Sequence, residues 1–451
     1  MIYNGLVWLF LLGAYTVSIQ IHKPDNDKSH LIKSLETAAK EQLLDKWYPL
    51  TVDQDDGGFY SEITYDFKIG EHQNKMIVTQ ARHVWTNARA AEIYSTNKNY
   101  LKIALHGFEF LRDKMWDKEL GGFFTLVTKR GDPILNTGVV KTAYGNSFGI
   151  YGLATYYGVS GNTEALELAK KTFYWLEEHS HDPVYKGYFD AMERDGKVLK
   201  RTEETPSTSA VGFKDQNSSI HLLESLTALY HVWPDPVVRE RLNELLLLIR
   251  DRITTEKGYL TLYLQPDWTP LTFVDKSKEE IKKYYNLDHV SFGHDVETAY
   301  LMLEAEEALG HKDDAITLKK GKKMVDHALS HGWDDQLGGF YDGGYYFKGD
   351  ENPTIVNSDK NWWSQAEGLN TLLLMSDYYP DDSLAYRKHF DALWEYTQTY
   401  LMDPKYGGWY EWGLDGRPES KTAPKGHIWK AAYHNFRALS NCVALLKKSG
   451  N

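Results

Sequence analysis

The sequence predicts an all-α fold, an (α/α)6 barrel with short β-hairpins at one end. A glycine-aromatic segment recurs six times along the 451 residues, at intervals of about 64 to 81 residues. Between these segments the apolar residues have helical spacing, for example over 100–115, 165–178 and 238–253. Because each repeat has room for two helices and a hairpin, six repeats predict an inner ring of six helices, an outer ring of six and a pocket at one end.

The six glycine-aromatic segments predict tight turns between short strands. Four of them carry an aspartate two to four residues before the first glycine, as in the run from Trp333 to Gly338, and aspartate favours such turns. The segments are Asp56–Tyr60, Leu120–Phe124, Lys186–Phe189, Lys257–Leu260, Leu337–Tyr341 and Tyr406–Tyr410.

The amino-acid composition indicates which kinds of ligand the protein can bind. The net charge of -12 disfavours a nucleic-acid groove or an anionic membrane surface, because both require basic patches. A single cysteine, Cys442, excludes an internal disulfide framework and a cysteine-based metal cluster, and we expect it to be a buried thiol. The 14 Trp, 31 Tyr and 17 Phe fill a large core, but they also indicate a carbohydrate pocket, since flat aromatic faces stack on the C–H faces of sugars.

The first 29 residues are predicted to be an apolar leader and a tether, followed by a single barrel domain over 30–451. The run from Gly5 to Ile19 is apolar but short for a membrane span, and it is typical of a signal-peptide core. Residues 1–4 contain no Lys or Arg, which departs from that pattern. We therefore expect export, to a periplasm or beyond, with a cytoplasmic location as the alternative and without an integral membrane span.

The stretch Ser291-Phe292-Gly293-His294-Asp295-Val296-Glu297 is the strongest candidate for chemistry. A helix is predicted to begin at about His294, which places His294 and Glu297 on one face of its first turn. A neighbouring carboxylate can orient an imidazole and raise its basicity. His294 is therefore a candidate general base, and a capping histidine with a solvent-facing Glu297 is the structural alternative.

Several other motifs fall at a similar position in their repeats and are predicted to meet at the mouth of the inner ring. His221 and Glu224 repeat the three-residue spacing of His294 and Glu297. The motifs are Gln80–Trp85 with Arg82, Lys141–Gly152 with Tyr144, Asn217–Glu224, Asn361–Glu367 with Trp362 and Trp363, and Trp429–Arg437 with His434.

These residues allow four chemical interpretations. A metal site would use His221, His294 and His434, which lie on separate predicted helices and form no His-x-x-x-His pair. A glycosidase would use two of Glu224, Glu297 and Glu367 as paired carboxylates. A non-enzymatic carbohydrate-binding barrel would use the histidines only as hydrogen-bonding groups. Proton transfer at carbon would use two histidines facing opposite sides of one carbon, and this interpretation fits best.

Taken together, the motifs resemble the N-acylglucosamine 2-epimerase superfamily, specifically its cellobiose 2-epimerase (mannobiose 2-epimerase) branch. The resemblance covers the chain after about residue 30. It rests on the Gly-Gly-Phe segments, on Lys-x-x-Tyr-Gly at 141–145, on Ser-Phe-Gly-His-Asp-x-Glu at 291–297, on Trp-Trp-x-Gln-Ala-Glu at 362–367 and on Trp-Lys-x-x-Tyr-His-Asn-x-Arg at 429–437. One departure is the run from Asn217 to His221, where relatives often have an additional histidine.

The resemblance implies reversible inversion at C2 of the reducing-end glucose or mannose of a β-1,4-linked disaccharide such as cellobiose, lactose or mannobiose. It implies no metal and no other cofactor. His434 matches the histidine assigned to ring opening and proton abstraction, and His294 matches its partner on the opposite face, supported by Glu297. Arg82 and His221 match the positions that stabilise the enediolate.

The remaining candidates are substrate-binding residues, and we expect the chain to act as a monomer. Trp362 or Trp363, together with Trp429, would stack on the two sugar rings. The other predicted substrate contacts are Tyr144, Asn217, Glu224 and Glu367.

Overall fold

The computed structural model describes residues 24–311 and 315–448, which form two concentric rings of helices. In chain order the helices are α1 (Pro24–Thr37), α2 (Asp45–Trp47), α3 (Ile77–Ile93), α4 (Asn99–Phe110), α5 (Ala143–Ser160), α6 (Thr163–His179), α7 (Gln216–Val232), α8 (Pro236–Leu248), α9 (Lys278–Lys283), α10 (Phe292–Leu309), α11 (Ala315–Gly332), α12 (Trp362–Tyr378), α13 (Tyr386–Tyr396) and α14 (Tyr433–Lys448). Helices α1, α4, α8 and α13 continue into π-helical turns, over Ala38–Leu44, Leu111–Met115, Ile249–Ile253 and Thr397–Leu401.

The inner ring consists of α3, α5, α7, α10, α12 and α14, each packed against the next, and α14 closes the ring against α3. Each inner helix also packs mainly against one helix of the outer ring, which consists of α1, α4, α6, α8, α11 and α13. Inner helices are buried on nearly all sides because they are covered by neighbours in both rings. The predicted (α/α)6 barrel is confirmed.

The six predicted hairpins are present, and they lie at the end of the barrel where the inner helices begin. Each turn is closed by an antiparallel bridge, namely Val52–Phe59, Trp116–Phe123, His181–Tyr188, Thr254–Leu260, Trp333–Phe340 or Met402–Trp409. Gly338 and Gly339 have φ of 79° and 92°, a backbone conformation that residues other than glycine rarely adopt.

Short antiparallel strands connect neighbouring repeats at the same end. The strand that precedes an inner helix pairs with a strand of the following repeat, as Lys75–Met76 pairs with Leu126–Val127. The strands are β1 (Lys75–Met76), β2 (Leu126–Val127), β3 (Lys141–Thr142), β4 (Ala191–Met192), β5 (Lys214–Asp215), β6 (Tyr263–Leu264), β7 (Val290–Ser291), β8 (Gly343–Tyr345) and β9 (Thr354–Asn357). They form the pairs β1–β2, β3–β4 and β5–β6 and the sheet β7–β8–β9. This network fixes the first turns of the inner helices, where the candidate residues lie.

A buried lysine–aspartate pair supports five of the six hairpins. The pairs are Asp53–Lys75, Asp117–Lys141, Asp182–Lys214, Asp334–Lys360 and Asp403–Lys425, with N–O distances of 2.7 to 3.0 Å. In the fourth repeat both charges are absent. Thr255 takes the place of the aspartate in the turn, and Val290 begins β7 as Lys75 begins β1.

The fourth repeat indicates that a hairpin is stable with both charged residues or with neither, and that one buried charge without its partner is unfavourable. We expect Lys75→Met to lower the unfolding free energy by about 3–5 kcal/mol, because Asp53 would remain charged and fully buried. Asp53→Thr should cost a similar amount by stranding the ammonium group. The double variant, uncharged like the fourth repeat, should lose less than the sum of the two single variants. Urea unfolding of the three proteins measures this, and additive losses would contradict it.

Of the predicted leader and tether over residues 1–29, the structure describes only residues 24–29. Helix α1 begins at Pro24, so the segment 24–29, which we expected to be a tether, is helical. The apolar leader lies outside the described residues, and export and the monomeric state stay predictions. Among the helices of 24–311 and 315–448, none combines the length and the apolar character needed to cross a membrane. Cys442 is buried, as expected.

Candidate active site

The first turns of the inner helices bring the sequence-predicted residues together at the mouth of the barrel. Counted from the first residue of each helix, the sixth residue of α3, α5, α7, α10 and α12 is Arg82, Phe148, His221, Glu297 and Glu367. His434 is the second residue of α14, and His294 is the third of α10. Nearly all of these side chains are buried, so the site is a polar cluster in the interior.

Two histidines of this cluster each use one ring nitrogen, Nδ1, in a contact with a protein side chain. The Nδ1 atom of His434 is 2.6 Å from Glu367 Oε1, and that of His294 is 2.8 Å from Ser291 Oγ. Within the described part of the chain, the Nε2 atom of neither ring has a hydrogen-bond partner. Both Nε2 atoms therefore remain available to a ligand.

The Trp363 ring lies close to both histidines. Its ring centroid is 4.6 Å from that of His294 and 6.1 Å from that of His434. Gly293 makes this approach possible, because a Cβ at that position would lie only 2.8 Å from the Trp363 indole and 2.0 Å from Ser364 Oγ. The two imidazoles and the indole thus border one common space.

Burial keeps both histidines neutral. It lowers the pKa of His294 to about 3, with smaller contributions from His221 and His289. The pKa of His434 is lowered well below its usual value by burial, and by the charges of Arg82 and Arg437. A neutral imidazole is the form that accepts a proton.

Arg437 is the centre of a buried cluster of three carboxylates. Its Nη2 atom donates to Glu297 Oε1 at 2.6 Å and lies 2.7 Å from Glu367 Oε1, and its Nη1 atom donates to Glu224 Oε1. The Tyr433 hydroxyl also donates to Glu224 Oε1, at 2.7 Å. One guanidinium therefore holds together glutamates from three different inner helices.

The three carboxyl groups have different pKa values because they share a single cation, Arg437. Burial raises the pKa of Glu297 and of Glu367 to about 7 in each case. Burial acts in the same direction on Glu224, but the Arg437 charge and the hydrogen bond from His221 prevail and lower its pKa to about 2. Glu224 is thus the permanent counter-ion of Arg437, and Glu367 can change its protonation near neutral pH.

His221 and Arg82 lie on the other side of the site. His221 Nδ1 is 2.9 Å from Glu224 Oε2, as the three-residue spacing predicts. Among the described residues, Arg82 makes only long hydrogen bonds, of 3.3 Å each, to Trp429 O and to the Tyr144 hydroxyl. Its Nε atom has no acceptor among the described residues, although it is buried. Arg82 can therefore donate to an anionic ligand at small cost.

A cavity of about 360 Å³ adjoins this side of the site. Tyr144, Asn217 and Trp429 line it, together with Asp190, Asp215 and Tyr263. The Trp429 side chain is 46% exposed, which leaves the indole free to contact a ligand. A larger cavity of about 710 Å³ lies where the inner helices end, and it has none of the three site histidines in its lining.

The structure corrects several sequence-based predictions. Glu297 does not orient His294, because it bonds to Arg437 while the imidazole turns back to Ser291. Trp362 packs beneath Lys430 and His427, so Trp363 is the tryptophan of the pair at the site. Helix α10 begins at Phe292, slightly earlier than expected.

The three carboxylates of the site are bonded to protein groups. Glu224 and Glu367 are buried and bonded to histidines and to Arg437, and their contact with substrate stays a prediction. Glu297, Glu367 and His434 have ligand atoms within 4.8 Å of one another, a spacing that could hold a metal ion. The Arg437 guanidinium already bonds to both of these carboxylates, so the group does not fit a second cation.

Two functional residues were missed by sequence reasoning. Arg437 and Ser291 both fall within the quoted motifs, but no role was assigned to either. Arg437 follows His434 by three residues on one helix, and three candidate glutamates without a predicted cation indicate that a buried arginine was needed.

Asp295, next to His294, is a buried acid. At the equivalent position, three other inner helices have a side-chain amide. The fourth residues of α3, α5 and α12 are Gln80, Asn146 and Gln365, and each accepts a hairpin N–H. Asp295 Oδ1 does the same for Leu260 at 2.9 Å. Its Oδ2 atom has no partner among the described residues and lies 3.9 Å from His327 Nδ1. Burial raises the pKa of Asp295 well above its usual value.

We expect Asp295→Asn to stabilise the protein at pH 7, by about 1–3 kcal/mol, since an amide keeps the acceptor without a buried charge. An acid whose pKa is raised by folding loses stability as pH rises above its unfolded pKa of about 3.9. The gain should therefore increase between pH 4 and pH 8, which urea unfolding across this range measures. A constant difference between variant and wild type would show that Asp295 does not titrate in this way.

Comparison with known proteins agrees with this architecture. A model of the N-acylglucosamine 2-epimerase (GlcNAc 2-epimerase) family matches residues 58–438. The chain is 29% identical to a cellobiose 2-epimerase of Bacteroides fragilis over 424 residues, which cover 93% of this chain and 98% of that protein. It is 25% identical to a D-mannose isomerase of Marinomonas mediterranea over 415 residues, 90% of this chain and 95% of that protein.

A solved structure extends the agreement to the fold. The cellobiose 2-epimerase from Spirochaeta thermophila superposes with a TM-score of 0.78 at 27% identity, covering 94% of this chain and 99% of that chain. The region matched by the family model contains every site residue from Arg82 to Arg437. The chain is therefore an isomerase that belongs to the N-acylglucosamine 2-epimerase family.

Proposed function

We propose that this protein catalyses the reversible epimerisation, at C2, of the reducing-end glucose or mannose of a β-1,4-linked disaccharide such as cellobiose, lactose or mannobiose. One histidine removes the C2 proton of the ring-opened sugar, which gives an enediolate. The other histidine returns a proton from the opposite face. His294 and His434 exchange these tasks according to which epimer is bound.

The observation that carries the proposal is the pair of neutral imidazoles that border one space, each with Nε2 unoccupied by a protein group. Glu367 stabilises the His434 imidazolium through the 2.6 Å contact with Nδ1. Ser291 orients His294. The two rings thus have different supports, and each keeps Nε2 for the substrate.

The enediolate requires donors that are in place before reaction. Arg82 has unused donor capacity, and His221 Nε2 is likewise free of partners in the described part of the chain. A charged donor aimed at a developing oxyanion gives a large share of such rate enhancements. Trp363 and Trp429 supply aromatic faces for the two sugar rings, with Tyr144 and Asn217 as polar neighbours in the cavity.

The full-length relative of Bacteroides fragilis, named cellobiose 2-epimerase, supports the choice of disaccharide. The decisive experiment incubates the protein with cellobiose in heavy water and follows the reducing-end C2 proton by NMR. We expect a mannose-configured reducing end that carries deuterium at C2. Release of free glucose would identify a glycosidase instead, and a mannose-configured product without deuterium would exclude the two-histidine route.

A further inference from the structure

The segment 423–432 carries Trp429 across the mouth of the barrel, and its position is fixed by the chain around it. The Ile63 N–H donates to Gly426 O at 3.1 Å, and the Thr79 hydroxyl donates to Ile428 O. His427 and Lys430 exchange backbone hydrogen bonds of 3.1 and 3.0 Å, which form a tight turn around Trp429. The exposed indole therefore projects from a short, restrained turn.

The main chain of Trp429 is held from both sides. Its carbonyl accepts from Arg82 Nη1 at 3.3 Å, and its N–H donates to His427 Nδ1 at 3.2 Å. The Arg82 contact links the turn to the site itself. Within the described part of the chain, His427 Nδ1 is the only side-chain acceptor of this N–H.

The hydrogen bonds of His427 define its tautomer. Because Nδ1 accepts the Trp429 N–H, the ring proton resides on Nε2, which lies 3.3 Å from Glu411 Oε1. Glu411 is itself attached to the first turn of α12, since its carbonyl accepts the Trp362 N–H at 2.9 Å. The edge of the Trp362 ring packs against the imidazole at a centroid distance of 6.3 Å.

We propose that His427, oriented by Glu411, is a positioning residue that fixes the Trp429 indole for sugar binding. The inference rests on the proposed function, in which Trp429 contacts one ring of the disaccharide. His427 has no recorded contact with His294 or His434 in the described part of the chain. Its loss should therefore weaken sugar binding and leave proton transfer nearly unchanged.

Two amide variants, each of which can replace one of the two ring-nitrogen contacts, separate positioning from simple packing. In His427→Asn the side-chain oxygen falls near the place of Nδ1 and can accept the Trp429 N–H. In His427→Gln the amide reaches toward the place of Nε2, so it keeps the Glu411 contact and leaves that N–H without an acceptor. We expect His427→Gln to raise the KM for cellobiose about tenfold with kcat changed less than about twofold, and His427→Asn to remain close to wild type.

Calorimetric binding of cellobiitol, the reduced disaccharide that cannot epimerise, makes the test independent of catalysis. We expect the Kd for cellobiitol to rise about tenfold in His427→Gln and in Trp429→Ala, and to stay unchanged in His427→Asn. The matched control is His311→Gln, which alters another histidine–glutamate pair, 3.1 Å from Glu306, at the far end of α10.

Equal losses in the Asn and Gln variants would overturn the inference, because the imidazole would then act by volume alone. Wild-type binding in His427→Gln would overturn it as well. If Trp429→Ala binds cellobiitol normally, the assigned role of Trp429 fails and the inference fails with it. Tight cellobiitol binding that depends on His427, without any epimerisation by the wild type, would instead reject the proposed reaction and retain the positioning role.

Discussion

The His434→Ala and His294→Ala variants are expected to lose net epimerisation by about 10²- to 10⁴-fold and to retain opposite halves of the C2 exchange reaction. Each variant keeps one of the two bases that border the site. A single base can still remove and return the proton on its own face of the sugar. One variant should therefore exchange C2 deuterium only with glucose-configured reducing ends, and the other only with mannose-configured ends.

The measurement is deuterium incorporation by NMR, starting separately from cellobiose and from its mannose-configured epimer. His311→Gln, at the far end of α10, serves as a control that should retain wild-type rates. If both variants lose exchange from the same epimer, one histidine acts as the sole base and the other has a different task. Retention of full epimerisation by either variant would exclude that histidine from proton transfer.

The barrel could be predicted because its signals are local. Each glycine-aromatic turn needs a positive φ or a tight bend, and helical spacing of apolar residues needs only one helix at a time. The Nδ1 contact of His221 with Glu224 could be predicted for the same reason, since both residues lie on α7. Features that a single helix specifies were recovered from the sequence.

Features that depend on the packing of several helices could not be predicted from the sequence. His294 and Glu297 have the same spacing as His221 and Glu224, and both glutamates bond to Arg437, yet His221 contacts Glu224 while His294 turns back to Ser291. His221 is the sixth residue of α7 and His294 the third of α10, so the two histidines lie at different depths in the barrel and meet different neighbours. Adjacent residues on a helix point about 100° apart, so the choice between Trp362 and Trp363 depends on how α12 is rotated in the ring. The pairing of His434 with Glu367 likewise requires the closed barrel.

The Arg437→Met variant is expected to lose about 3–5 kcal/mol of unfolding free energy at pH 8 and distinctly less at pH 5. The substitution leaves Glu224, Glu297 and Glu367 in a buried cluster without their cation. Without the guanidinium, the folded-state pKa of Glu224 should rise from about 2 to above its unfolded value of about 4.3, and the pKa values of Glu297 and Glu367 should rise further above about 7. A raised carboxyl pKa costs nothing below pH 4, and its cost grows as pH rises toward the folded pKa.

Urea unfolding at the two pH values measures this difference, and Arg241→Met is the matched control. Arg241 also contacts three glutamates, Glu177, Glu240 and Glu244, but its side chain is 15% exposed against 3% for Arg437. Solvent can therefore stabilise the glutamates that Arg241 leaves behind, and its loss should cost less than about 1 kcal/mol at either pH. An Arg437→Met cost that is equal at pH 5 and pH 8 would mean that the folded variant and the folded wild type bind the same number of protons over this range. In that case the arginine would stabilise the inner ring through its hydrogen bonds and not through its charge.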